Sequence, residues 1–488
     1  MLWSVEQPEG RRNDGYAAMT EVLNHSHGQP RRWHRRTIPV AALILATAAS
    51  LLLIGQSFVA GGPSASYPPL QPLLDAAAPG RLVSPPAGTY SGPVVISRPV
   101  VLDGRGEVTI DGLGEGSVLT IDTDGAQVRG LHIRNSGREH NRLDSGIKVR
   151  GSFNIIKDNL VEDTLFGIDL EQAHNTIVRR NRVRQQGGEH GLRGDGIRLW
   201  YSFDNRITDN EIDGARDFLI LDSGRDRITG NLVKNGRYGL FIVNTDQLEI
   251  SGNRFLGNDM GIFALESEGI VVRDNLIAGS RKAFGSAVGV KESSGVVIED
   301  NVIVRNAIGI TLDNSPYEPD TVNRVRHNVV GYNAIGVSFL MDRAGNELEG
   351  NWFKGNLAQV AGRGGATATA STWIANIWDD YQGFDSDGDR VGDTPYERWV
   401  YSDRLWMDVP MAGFFRGSVS LAVLDFVERL APFSEPTLLL RDLRPQLRAN
   451  IDQIPPHDHP LALVEGGITA RLPAAALAIP EDREGTTR

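Results

Sequence analysis

Between residues 154 and 353 the chain repeats one short pattern: an aliphatic residue, two mostly polar residues, Asn, any residue, then an apolar residue. The Asn falls at Asn159, Asn181, Asn210, Asn231, Asn253, Asn275, Asn301, Asn328 and Asn351, at spacings of 22, 29, 21, 22, 22, 26, 27 and 23 residues. Eight residues after most of these Asn comes a Gly followed by an apolar residue, as in Gly167-Ile168, Gly239-Leu240 and Gly309-Ile310. A period near 22 residues with a few apolar positions per unit defines a solenoid, because one unit cannot bury its apolar face alone. Within each unit the apolar positions recur every second residue and are mostly Ile and Val, which suits strands. The pattern predicts an all-β, right-handed parallel β-helix, with the Asn column at a turn where Asn tolerates the left-handed conformation and bonds from coil to coil.

The chain has 488 residues, 55 Gly and no Cys, so thiol catalysis, disulfides and Cys-ligated metals are excluded. A net charge of −11 argues against nucleic acid as a partner. Residues 1–37 are polar, with Arg31, Arg32, Arg35 and Arg36 at their end. The apolar segment 38–60 after them reads as a signal peptide or membrane anchor, which would leave the remainder exported, in the periplasm or an equivalent compartment. A linker (61–80), the β-helix (81–378), an acidic loop with a helical extension (379–445) and a tail (446–488) complete the expected organisation.

Three sets of residues offer chemistry. Two insertions align as Gly137-Arg-Glu139-His140 and Gly187-Gly-Glu189-His190, two coils apart, and a third lies near 278–288. Insertions leaving one side of a solenoid mark a binding face, and Glu139, His140, Glu189 and His190 have the donor types for copper or zinc. Lys148, Asp169 and Arg198 each stand two residues after a coil Gly, and alternation points them outward. They form either a salt-bridge ladder or an exposed face for an acidic polysaccharide, with Trp200 and Tyr201 nearby. Asp385, Asp387, Asp389, Val391 and Asp393 alternate in a Gly-containing loop that resembles a calcium loop, without the Glu of a full EF-hand at position twelve. Beyond the coils, 412–431 reads as a strongly apolar helix carrying Phe414, Phe415, Leu424, Phe426 and Val427, placed to cap the solenoid's open end or to dock on a partner.

Several stretches together resemble the NosD family. These are Ala87-Gly-Thr-Tyr-Ser-Gly-Pro93, Val100-Val-Leu-Asp-Gly-Arg-Gly106, Val128-Arg-Gly-Leu-His-Ile133, Gly194-Asp-Gly-Ile-Arg-Leu-Trp200 and, most specifically, Asn376-Ile-Trp-Asp-Asp-Tyr381 with the acidic loop after it. The resemblance implies a periplasmic β-helix, not an enzyme. It would work with the membrane and ATPase subunits of an ABC transporter, and with a client copper enzyme or copper chaperone, in maturing the copper sites of nitrous-oxide reductase. It also implies that the segment around Phe426 engages the transporter. A cell-envelope protein that binds or cleaves polysaccharide through Lys148, Asp169 and Arg198 is the alternative. The six Met are scattered along the chain and form no Met-rich copper(I) surface.

Overall fold

The structure, a computed structural model, describes residues 67–185, 192–282, 285–400, 407, 418–430 and 436–447. From Leu82 to Trp378 the chain winds through short parallel strands. Twelve of them, one per coil from Val94–Ile96 to Ala358–Gly362, stack into one sheet. The other two strands of each coil stack into a second, sharply bent sheet of 24 strands. Every second residue points inward, so Ile156, Val178, Ile207, Ile228, Ile250, Val272, Ile298 and Val325 form one fully buried column. Each such side chain contributes about 1.5–3 kcal/mol by leaving water.

The Asn column runs through the bend of the second sheet. The Oδ1 of Asn275 accepts from the backbone N–H of Asn253 at 2.8 Å and from its Nδ2 at 3.0 Å. The Nδ2 of Asn275 in turn donates to the carbonyl of Ile250 at 2.9 Å. The same arrangement recurs from Asn159 to Asn376, and Asn159 accepts from Leu131, which holds the Asn slot of the preceding coil. All of these amides are buried. The expected left-handed conformation is found one residue earlier, at Asp158, Asp209, Asp274, Asp300 and His327 (φ 55–59°) or at Gly230, Gly252 and Gly350. The residue before the Asn makes the turn. The Asn itself must aim its amide inward to satisfy backbone groups that the turn leaves unpaired.

Both ends of the solenoid are closed. A short helix, α1 (Gln71–Asp75), lies over the first coil, where Gln71 exchanges two hydrogen bonds with the backbone of Val95 at 2.8 and 3.0 Å. At the other end Thr437–Asp442 pairs antiparallel with Tyr396–Val400 and delivers Asp442 under the last Asn. Its Oδ2 accepts from Asn376 N and Nδ2, both at 3.0 Å, and from Trp378 Nε1 at 3.2 Å. A carboxylate thus replaces the amide oxygen of a missing coil. Phe353, Trp378 and Tyr396 stack beside it at centroid distances of 4.4 and 4.3 Å. Capping, one of the two roles open to the 412–431 helix, is performed here by this strand. The helix is described as α2 (Val419–Leu430). The segment 38–60 lies outside the described residues, and among the described residues no helix is long and apolar enough to cross a membrane.

Candidate functional site

The three insertions fall at the same corner of their coils, each between a strand of the 24-strand sheet (Gln127–Arg134, Arg182–Arg184, Leu276–Ala278) and the next strand of the 12-strand sheet (Ser145–Arg150, Ile197–Trp200, Ser286–Lys291). Glu139 and His140 are exposed there. His140 opens a single 3-10 turn (His140–Arg142) and meets the ring of Phe166 edge-on at 6.0 Å. Glu189 and His190 lie outside the described residues.

Lys148, Asp169 and Arg198 are in register on three adjacent strands, as the spacing requires. They are not an exposed face. Asp169 is 0% exposed, Lys148 and Arg198 8% each. The 137–144 insertion reaches Lys148, whose Nζ donates to the carbonyl of Arg142 at 2.9 Å. Arg198 Nη1 bonds Asp169 Oδ1 at 2.8 Å, whereas Lys148 Nζ stays 3.9 Å from Asp169 Oδ2. Burial pushes the Asp169 carboxyl up, against the pull of Arg198. The ladder therefore holds the coils and the insertion together, and a polysaccharide lying on the outer surface does not reach it.

The ion chain continues into coils that no spacing argument marked. Arg216 bonds Asp195 at 2.8 Å and Asp217 at 3.3 Å, and Arg237 clasps Asp217 from the next coil. Asp195 is pushed up to about 6, chiefly by burial, with Arg216 opposing and Asp217 reinforcing. Alternating signs keep this buried row near neutrality, as buried charges require. Three residues after Arg216, from Leu219 on, the outward positions change character. Leu219, Leu221, Phe241, Val243, Phe263 and Leu265 occupy them in three successive coils. The signal was present in Arg237-Tyr-Gly-Leu-Phe-Ile-Val243, whose alternate outward residues are apolar where other coils place charges.

Among the described residues one group of His, Asp and Glu brings three donor atoms within 4.8 Å of one another: Asp385, Asp387 and Asp393. The loop is built from turns in which each carboxylate accepts backbone N–H groups. Asp385 takes Gly388 and Arg390, Asp389 takes Val391, and Asp393 takes Ser386. Val391 bridges Gln446, so the loop braces the capping segment. The described imidazoles do not assemble a copper site. His132 bonds Glu162 at 2.7 Å, and His174 stacks on Phe203 and accepts its backbone N–H at 3.2 Å.

Of the proposed docking residues, Phe426 and Val427 are exposed on α2, together with Val419, Val423 and Leu430. Leu424 lies in the same helix. Phe414 and Phe415 lie outside the described residues.

Strand order, register and the Asn column define a right-handed parallel β-helix protein of about 13 turns. Residues 183–383 match the family described as "Periplasmic copper-binding protein (NosD)". Two relatives are described as "Probable ABC transporter binding protein NosD". One, from Pseudomonas aeruginosa, is 29% identical over 71% of this chain and 83% of its own. The other, from Stutzerimonas stutzeri, is 26% identical over 79% of this chain and 90% of its own. Solved structures similar to the chain include an Azotobacter vinelandii mannuronan C-5 epimerase A-module, with 17% identity and a TM-score of 0.49 over 59% of this chain and 91% of that one. The chain is thus similar to proteins of the NosD family, through the family match in its middle coils and these two relatives.

Proposed function

We propose that the chain is an exported, non-catalytic β-helix scaffold that docks on an ABC transporter through α2 and presents its insertion-bearing side to a periplasmic copper enzyme of the nitrous-oxide reductase type, or to its copper chaperone. One observation carries this reading. Val419, Val423, Phe426, Val427 and Leu430 recur at helical spacing and are 80, 56, 62, 39 and 71% exposed, and among the described side chains of the helix Glu428 is buried. A helix that turns its apolar stripe outward at the end of a capped solenoid is built to be covered by another surface. The descriptions of the two NosD relatives as ABC transporter binding proteins support a transporter as that surface. Copper is cargo handled by partners in this reading. The acidic loop at Asp385, Asp387 and Asp393 is the proposed calcium site, a structural brace for the capped end.

The test is co-purification of the transporter's membrane and ATPase subunits with the full chain and with a 412–431 deletion. The deletion is expected to abolish association while far-UV circular dichroism keeps the β-helix signature. Undiminished association would overturn the assignment, and Phe426→Asp with Val427→Asp gives the same answer without shortening the chain.

A further inference from the structure

Along half of the 12-strand sheet the outward column is polar, running through Thr120, Lys148, Asp169 and Arg198 and later through Thr311 and Ser338. In the three coils between, it is apolar. Leu219, Phe241 and Phe263 stand in register in that column, and Leu221, Val243 and Leu265 in the next, all partly exposed. Tyr238 stacks on Phe241 with centroids 4.7 Å apart and an interplanar angle of 22°, and Phe263 lies 5.9 Å from both rings. Beyond them Gly289 leaves room for the strip to continue. A Cβ there would stand 2.5 Å from Phe263 Cδ2, so the ring leans across a position that only Gly can hold.

The corner that follows these strands is acidic. Asp222 and Glu266 come directly after two of them and Glu292 after the next strand, and Asp246 and Glu268 lie three residues beyond their strands. Many acids elsewhere on the solenoid pair with bases one coil away, as in Glu211 with Lys234 at 2.9 Å and Glu299 with Arg326 at 2.6 Å. None of these five acids has an ion-pair partner among the described residues.

An unpaired acidic edge beside an apolar strip selects its occupant by charge. A second copy of this chain would bring the same edge and a net charge of −11, so like charges would face each other. Anionic lipid and uronate polymers are repelled for the same reason. We infer that the strip centred on Phe241 and Phe263 is a docking face for a protein partner whose own apolar surface is edged with Lys or Arg. Apolar contact supplies the affinity, and the acidic corner sets register and on-rate. The inference is independent of α2 and of any transporter, because the strip lies on a different element, in the middle coils.

The test uses the full chain in its native host, with the photo-crosslinking residue benzoylphenylalanine placed at position 265, or at position 229 on the other sheet as control. Expected is a protein adduct from 265 that is absent from 229, with the cross-linked peptide carrying an apolar residue next to Lys or Arg. Asp246→Lys combined with Glu268→Lys should cut that adduct about tenfold, and Lys→Glu in the partner peptide should restore it. If the double reversal lowers the melting temperature, Asp246→Asn with Glu268→Gln replaces it and should still weaken the adduct. No adduct, an adduct with a second copy, lipid or glycan, a peptide without basic residues, or a yield indifferent to the charge changes would each overturn the inference.

Discussion

Asp226 is the residue whose substitution tests the electrostatics of the stack most directly. It continues a buried polar column in which Asn154 accepts from Ala126 N at 2.8 Å and Asn205 from Thr176 N at 2.9 Å. Asp226 Oδ1 accepts from Asn205 N at 2.8 Å and from Asn205 Nδ2 at 3.0 Å. The next three residues of the column are Leu248, Ile270 and Val296, all buried, and Asp226 Oδ2 is enclosed without a hydrogen-bond donor. Burial pushes the carboxyl up to about 7, the bonds from Asn205 opposing it. The folded protein therefore holds a proton here, between the ordinary carboxylate value and about 7, that the unfolded chain has released. The stability linked to Asp226 is fully present below pH 4, is lost as pH rises toward 7, and stays lost above it. At about 1.4 kcal/mol per pH unit the full effect is slightly more than about 4 kcal/mol. Asp226→Asn keeps the oxygen that Asn205 needs and cannot ionise. Urea unfolding of both proteins from pH 4.5 to 8.5 should give curves that nearly meet at the acid end and diverge with rising pH, the Asn variant ending about 2–4 kcal/mol more stable. Parallel curves, or a variant that loses stability at pH 8, would refute the claim that a buried, proton-holding carboxyl sits in this column.

Arg198→Ala should cost about 3–5 kcal/mol at neutral pH by leaving Asp169 buried without its 2.8 Å partner, and the cost should shrink on acidification as Asp169 takes up a proton; a stable variant that merely loses glycan binding would restore the polysaccharide face. Asp442→Leu strips the acceptor from Asn376 and Trp378, and hydrogen exchange should accelerate at 372–378 and 396–400 while the first coils keep their protection. Calcium should raise the melting temperature and EDTA reverse it, with Asp387→Asn abolishing the response. No shift in the wild-type protein would remove the calcium site.

The repeat was legible in the chain because a β-solenoid reads its own period. Stacking places Val178 on Ile156 and Asn181 on Asn159 by geometry alone, so the residues that must match recur at the coil length. For the same reason Lys148, Asp169 and Arg198 could be put in register from spacing, and the apolar stripe of α2 from its 3.6-residue period. What covers a surface is a different question. The insertion that reaches Lys148 has no period, and its fold depends on contacts such as that of Lys148 with the Arg142 carbonyl. The Asp442 cap comes from 66 residues beyond Asn376, and a single carboxylate carries no pattern that marks it as the end of an amide ladder. The left-handed turn fell to the residue before each Asn because the amide was needed inside, a choice that only the position of the neighbouring coil decides. Local repetition thus determined the coil, its core and its columns. Long-range packing decided which outward residues are buried, which carboxyls keep a proton, and which apolar strip is left uncovered.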